Sequence, residues 1–293
     1  MVSIYRRYLA VDPSVTERFT GLLLSPNNAA PRPLEAAKLL LSLARKAARG
    51  EYISPEGKSP YQLLGYWIDV VEKFPDDVGL DVDETNESNH TITAVGTEAS
   101  QPAPEPASVD GNIIRLSAPV VADGNDVRHY DEDEDPTSAK KLNVERIIHK
   151  DGLIMYKDQA GRLWTGLATY WIKRGEFDRA RDTFEQGIKT VLTIRDFTQI
   201  FDAYAEFGES LISAMMESLE NEEDEGDAAE TERELDDRIA EFENITDRRP
   251  FLVNDVLIRR NPNDVQEWEK RVALWGEDDE KVCVVSSYCA SPV

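Results

Sequence analysis

Leu163–Glu209, LWTGLATYWIKRGEFDRARDTFEQGIKTVLTIRDFTQIFDAYAEFGE, carries one amphipathic pattern twice. Trp164 is answered by Phe197, 33 residues on, and Tyr170 by Tyr204, 34 residues on. Leu163, Leu167, Tyr170 and Trp171 fall at i, i+4, i+7 and i+8, so they share one helix face, which Arg174 extends at i+11. Gly175, directly after Lys173 and Arg174, supplies the positive-φ residue that closes a helix. A second helix follows over about 177–191, with Ala180, Phe184, Ile188 and Val191 as its stripe and Arg181, Asp182, Glu185 and Lys189 off it. Ala180 matters for its size, because a small side chain lets the paired helix come close. Phe197, Ile200, Phe201, Tyr204 and Phe207 line a third helix. Periodicity alone would equally describe an ordinary amphipathic hairpin. The return of large aromatics in register marks a repeat instead, in which no helix pair can bury its apolar face by itself.

Trp164 and Tyr170 on a first helix, then Ala180-Arg181 and Phe184-Glu185 on a second, resemble the half-a-TPR (HAT) repeat of RNA-processing scaffolds. Longer blocks sharpen the resemblance. DQAGRLWTGLATYWIKRGEFDRARDTFEQGIKTVLTIRDFTQIFDAYAEF, SIYRRYLAVDPSVTERF near the start, ISPEGKSPYQLL around Lys58 and RRPFLVNDVLIRRNPNDVQEWEKRVALW at Arg248–Trp275 are similar, in order, to the Syf-one / XPA-binding protein two family of pre-mRNA-splicing factors. The resemblance implies an all-α superhelical solenoid of TPR-like HAT pairs. It also implies a nuclear, non-catalytic scaffold that organises other splicing-factor proteins of a NineTeen-type complex around the RNA core. The mechanism implied is geometric, many weak contacts along one surface. Carried over residue by residue, Trp164, Tyr170, Ala180, Arg181, Phe184, Phe197, Tyr204 and Trp268 are repeat cement. No catalytic, cofactor-binding or metal-binding residue is implied, and no cofactor. Family members are far longer, so the chain reads as an internal fragment or a shortened gene model. A further Ala-aromatic-Glu helix is expected after Trp275, where EDDEKVCVVSSYCASPV stands instead. A crooked-neck type of scaffold is disfavoured by the IRDFTQIFDAYAEF and RRPFLVNDVLIRRNP blocks, and a TPR-like adaptor outside splicing remains the alternative.

Composition divides the chain further. HAT-like helices are expected over 1–80, 142–216 and 235–276, and an atypical tail over 277–293. Residues 81–141 are poor in large apolar side chains and include the run Asp131–Asp135, so a disordered acidic insertion is expected there. A second acidic tract, 217–234, either prolongs the helix after Met216 or loops out, and Gly226-Asp227 argue for a break. The formal net charge of −24 weighs against binding phosphate backbones, which needs clustered Lys and Arg. Arg6-Arg7, Arg45-Lys46, Lys140-Lys141, Arg248-Arg249 and Arg259-Arg260 are small clusters that read as solvated edges or helix-end charges. Basic proteins are the more natural partners, with direct RNA contact minor at most.

Several motifs dissolve on inspection. No apolar run approaches the ~20 residues of a membrane span, and the first residues carry no signal-peptide core. The two cysteines, Cys283 and Cys289, offer no disulfide framework. Gly57-Lys58-Ser59 lacks the earlier glycine of a phosphate loop, since Tyr52 holds that place, and reads as a turn between helices. DEDEDP at Asp131 has Pro136 where a calcium loop needs glycine and Leu142 where it needs glutamate. His90, His129 and His149 have no metal spacing, and His149 reads as a surface helix residue. Trp67, Trp164, Trp171, Trp268 and Trp275 sit at helical spacing and read as packing between helices rather than base-stacking platforms. Asn263 or Asp264 reads as the cap of the helix bearing Trp268 and Trp275. No small-molecule substrate is indicated, and an enzyme is a remote reading.

Overall fold

The computed structural model describes residues 2–9, 12, 15–25, 31–80, 139–221 and 225–276. The expectations for 81–138 and for the tail 277–293, with His90, His129, Cys283, Cys289 and the DEDEDP run, lie outside the described residues. The helices are α1 (Val2–Leu9), α2 (Thr16–Leu24), α3 (Pro33–Ala48), α4 (Pro60–Lys73), α5 (Pro75–Val78) and α6 (Val144–Ile147). A π-helical turn (Ile148–Leu153) and a 3-10 turn (Lys157–Gln159) follow, then α7 (Gly161–Lys173), α8 (Phe177–Thr190), α9 (Ile194–Asn221), α10 (Glu225–Arg260) and α11 (Val265–Trp275). Among the described residues the only β pairing is an isolated parallel bridge, Gly79 to Leu142. The described residues form an all-α stack of helix pairs.

Local chemistry sets the helix ends. Pro33 and Pro60 open α3 and α4 at positions whose N–H would have no intrahelical partner. Ser59 caps α4 through a full capping box with Gln62. At the end of α7, Gly175 has φ 77°. Its N–H and that of Glu176 donate back to Ile172 and Trp171, both at 3.0 Å, the paired bonds of a Schellman closure. Asp264 caps α11 by accepting from the Gln266 N–H at 3.1 Å.

Each helix leans on the next. α3 packs on α2 and α4, α4 on α7, α7 on α8 and α9, α9 on α10, and α10 on α11. α7 is the shared wall between two cores: Leu163, Leu167, Tyr170 and Trp171 face α3, α4 and α6, whereas Trp164 and Ala168 face α8, α9 and α10. A helix that is apolar on two sides is what a stacked layer requires. The close approaches run through glycine: a Cβ on Gly166 would lie 2.5 Å from Ile68 Cγ2, and one on Gly187 would lie 3.0 Å from Trp164 Cγ.

The two ends of the segment from 81 to 138 meet. Leu142 N–H donates to Val78 O at 2.8 Å, and Leu80 N–H donates to Leu142 O at 2.9 Å. Arg174 Nη1 donates both to Leu80 O and, at 2.5 Å, to the Tyr170 hydroxyl. Gly79 lies so close under that hydroxyl that a Cβ there would overlap it. The described residues on either side of that segment are therefore tied to each other and to α7.

Three expectations are corrected. Gly226 and Asp227 do not interrupt a helix; both lie inside α10, which begins at Glu225, while α9 ends at Asn221 and 222–224 lie outside the described residues. Helix-forming Glu and Ala around Gly226 outweigh the roughly 1 kcal/mol that one glycine costs a helix. His149 is not a surface residue: it is half-buried in the π-helical turn, its ring edge-on to Trp164 at 5.3 Å, and burial lowers its pKa against the opposing pull of Glu145. Finally, arginines from four of the basic pairs are inter-helix ties rather than solvated edges, bonding Arg6 to Glu35 at 2.6 Å, Arg45 to Asp151 at 2.7 Å, Arg248 to Glu185 at 2.6 Å and Arg259 to Val191 O at 2.5 Å.

Candidate interaction surface

The eight motif residues fall into three places. Tyr170 and Ala180 belong to the first core, and Trp164, Phe184 and Phe197 to the second, all five buried. Tyr204, half-buried, stacks on Phe184 with centroids 5.0 Å apart and planes 11° apart. Arg181 lies at the mouth of the same cluster, its Nη1 donating to both Glu241 oxygens at 2.7 and 2.8 Å and its Nη2 to Asp178 at 2.8 Å. Trp268 stands apart on α11, half-buried, with its indole N–H donating to Pro262 O at 2.8 Å. Trp275, also half-buried, lies 5.7 Å from the Arg271 guanidinium.

The cluster around Tyr204 is a seam between α8, α9 and α10. Phe177, Phe207 and Phe242 edge a cleft of about 40 Å³ there, with Arg181, Arg238 and Glu241 at its rim. Arg238 shares Glu241 with Arg181 and reaches Asp178 at 3.8 Å, so each charge at the rim has an internal partner. Burial, with Glu185 nearby, pushes the Tyr204 phenol up to about 12, which keeps it a neutral packing group.

A larger groove of about 330 Å³ lies between α2, α3 and α4, floored by Leu24, Leu40, Leu63 and Val70 and rimmed by Lys58 and Lys73. Glu17 bounds one end. Burial drives its carboxyl up, but hydrogen bonds from Ser54, Tyr52 and Lys58 outweigh this and hold it below the ordinary carboxylate value. Gly57-Lys58-Ser59 is the turn the spacing predicts: Gly57 has φ 71°, Lys58 bridges Glu17 at 3.1 Å and Glu56 at 2.8 Å, and Ser59 caps α4.

Sequence reading passed over the polar ties that fix the pair-to-pair angle. Arg162 on α7 reaches Asp69 at 2.7 Å and Glu72 at 2.5 Å on α4. Arg271 on α11 donates to Asn254 Oδ1 at 2.7 Å and to Phe251 O at 3.2 Å, and also to Asp255, all on α10. Arg259 Nη1 donates to Val191 O at 2.5 Å, closing the C-terminal end of α8. Only the glycines left a trace in the sequence, as glycines kept inside helical patterns. Among the described residues no His/Cys/Asp/Glu group could hold a metal ion, and no helix is long and apolar enough to cross a membrane. The described surface offers two grooves and paired charges at their rims.

The model of the family described as "Pre-mRNA-splicing factor SYF1 middle HAT repeat" matches residues 127–291, more than half of the chain. The chain belongs to the SYF1 family. Pre-mRNA-splicing factor SYF1 of Mycosarcoma maydis is 48% identical over 95% of the chain, which spans 29% of that protein. The Neurospora crassa protein of the same name is 58% identical over 48% of the chain and 17% of its own length. The Homo sapiens one is 48% identical over 48% of the chain and 16% of its own length. The chain thus covers less than a third of each of these SYF1 proteins.

Proposed function

We propose that the chain is part of a non-catalytic scaffold for pre-mRNA splicing, working in the nucleus by organising protein contacts within a NineTeen-type complex of the spliceosome. The observation that carries this is its 48% identity to a pre-mRNA-splicing factor SYF1 over 95% of its own length. The geometry agrees. A stack in which α7 serves two cores keeps Trp164, Tyr170, Phe184 and Phe197 inside and presents grooves and paired charges outside, which suits many weak contacts whose affinity comes from their number.

In this reading the repeat blocks 1–80, 142–216 and 235–276 form the scaffold, while 81–141, 217–234 and the tail 277–293 are appendages. Trp164, Tyr170, Ala180, Arg181, Phe184, Phe197, Tyr204 and Trp268 hold the repeats together, and the partners are other splicing-factor proteins. RNA is a minor partner because Arg45, Arg162, Arg181 and Arg248 already pair with carboxylates inside the protein.

Affinity purification of the intact natural protein from nuclear extract tests the proposal, with recovery of splicing factors as the expected result. Recovery of a client set unrelated to splicing would overturn it in favour of a TPR-like adaptor. A binding constant for single-stranded RNA that falls steeply with salt, with a slope of several phosphates, would overturn the protein-only surface.

A further inference from the structure

Four serines are followed by proline: Ser25, Ser54, Ser59 and Ser291. Ser54 and Ser59 share the turn between α3 and α4, and they stand in opposite settings. Ser54 is 6% exposed, its Oγ accepting from the Glu56 N–H at 3.2 Å while its hydroxyl bonds to the Glu17 carboxylate. Ser59 is exposed, with extended backbone at φ −72° and ψ 159°, and Pro60 follows through a trans peptide. Pro55, Glu56 and Gly57 just before it are exposed as well.

Proline-directed protein kinases require an acceptor in extended conformation whose next residue lacks an amide N–H, a condition only proline meets. Both serines satisfy the dipeptide, and only Ser59 combines a stated extended backbone with access. We propose that Ser59 is a phosphorylation site for a proline-directed serine/threonine kinase, and that the phosphate tightens the tie between α4 and α2. In the reaction the Ser59 Oγ bonds to the γ-phosphorus of a nucleoside triphosphate as the bond from that phosphorus to the bridging oxygen breaks. The nucleoside diphosphate leaves, and the hydroxyl proton passes to the kinase.

The direction of the effect follows from the surroundings. The new dianion sits at the N-terminus of the 14-residue α4, where free N–H groups and the helix dipole favour negative charge. Lys58, the adjacent residue, bridges Glu56, whose side chain is 55% exposed, and Glu17, whose side chain is 6% exposed. The phosphate replaces the solvated Glu56 as the second partner and leaves the sheltered pair with Glu17 on α2 in place. This inference stands independently of the splicing role.

The test uses the 293-residue chain carrying S25A and S291A, so that only Ser54 and Ser59 compete, treated with a purified proline-directed kinase, ATP and magnesium. Phosphopeptide mass spectrometry is expected to place phosphate on Ser59 at least about tenfold faster than on Ser54, which must open locally to react. Adding S59A abolishes most incorporation, and adding S54A leaves it unchanged. The phosphorylated chain is expected to melt about 1–3 °C higher than the untreated one, a rise that K58A shrinks. Equal modification of Ser54 would overturn the proposal. So would failure to modify Ser59 at an enzyme level that modifies a peptide of residues 53–64, or a melting temperature that falls on phosphorylation.

Discussion

The contact between α4 and α7 predicts that one substitution, glycine to alanine, has opposite signs on its two sides. Gly65 lies inside α4 with nothing within 4 Å of where a Cβ would go, so Gly65→Ala adds helix propensity and nothing else. The gain is about 1 kcal/mol. Gly166 lies inside α7, and its Cβ would meet Ile68 Cγ2 at 2.5 Å and the Arg162–Glu72 pair at 3.1 Å on both atoms. Ile68 is fully buried and cannot swing away, and moving Arg162 or Glu72 breaks the bridge they form. Overpacking of this kind costs about 1–3 kcal/mol, and the short contact puts it at the upper end. The propensity gain is the same as at Gly65, so Gly166→Ala is expected to lose about 1–2 kcal/mol net. Urea titration followed by far-UV circular dichroism should move the midpoint up for Gly65→Ala and down for Gly166→Ala at unchanged slope. Gly166→Ala with Ile68→Val should recover part of the loss, since the pair is coupled through one contact. If Gly166→Ala stabilised as much as Gly65→Ala, the close approach of α4 and α7 would be wrong, and with it the order of the stack.

Other consequences follow from particular contacts. Phe184→Ala removes a buried ring stacked on Tyr204 and should cost about 3–5 kcal/mol, whereas Arg181→Ala, at a partly exposed rim, should cost under about 1 kcal/mol; equal losses in a thermal melt would contradict the division between core and rim. Arg271→Ala should detach α11 at a cost of about 3–5 kcal/mol, and Arg271→Lys should not restore it because the fork geometry is lost. Hydrogen exchange should then rise at 265–275 first, and a uniform rise along the chain would count against a local tie. The Glu17 carboxyl is held below its ordinary value of 4.5, so its contribution is complete above that pH and disappears as pH falls through the depressed value. Glu17→Gln should therefore flatten the stability loss of the wild-type chain below about pH 4.5, and an unchanged acid limb would refute the assignment.

The helices from Leu163 to Phe207 were legible because their apolar spacing, the Gly175 stop and the aromatic return at about 34 residues all point one way. The SYF1 kinship was legible from the ordered blocks around them. What stayed hidden are contacts between residues far apart in sequence. Nothing in Arg271 announces that it bonds back to Asn254, and nothing in Arg45 announces Asp151, 106 residues away. His149 was misread because its segment is polar in sequence, while the π-helical turn rotates its ring onto Trp164. Gly226 was misread because a local turn signal was weighed without its helix-forming neighbours.

The total charge of the chain is a poor guide to the chemistry of its faces. α9 and α10 have 28 and 36 residues, against 13 and 14 for α7 and α8. Between 217 and 237 lie twelve acidic residues and one basic residue. That stretch supplies a large part of the net −24. A negative total therefore says little about the faces of the stack, where Lys58, Lys73 and the arginines are found. What weighs against a phosphate track is pairing: Arg45, Arg162, Arg181 and Arg248 each spend donors on a carboxylate of another element. A phosphate would have to break one of those inter-helix ties to gain a contact of the same kind. Loosening the stack is the cost of every such exchange.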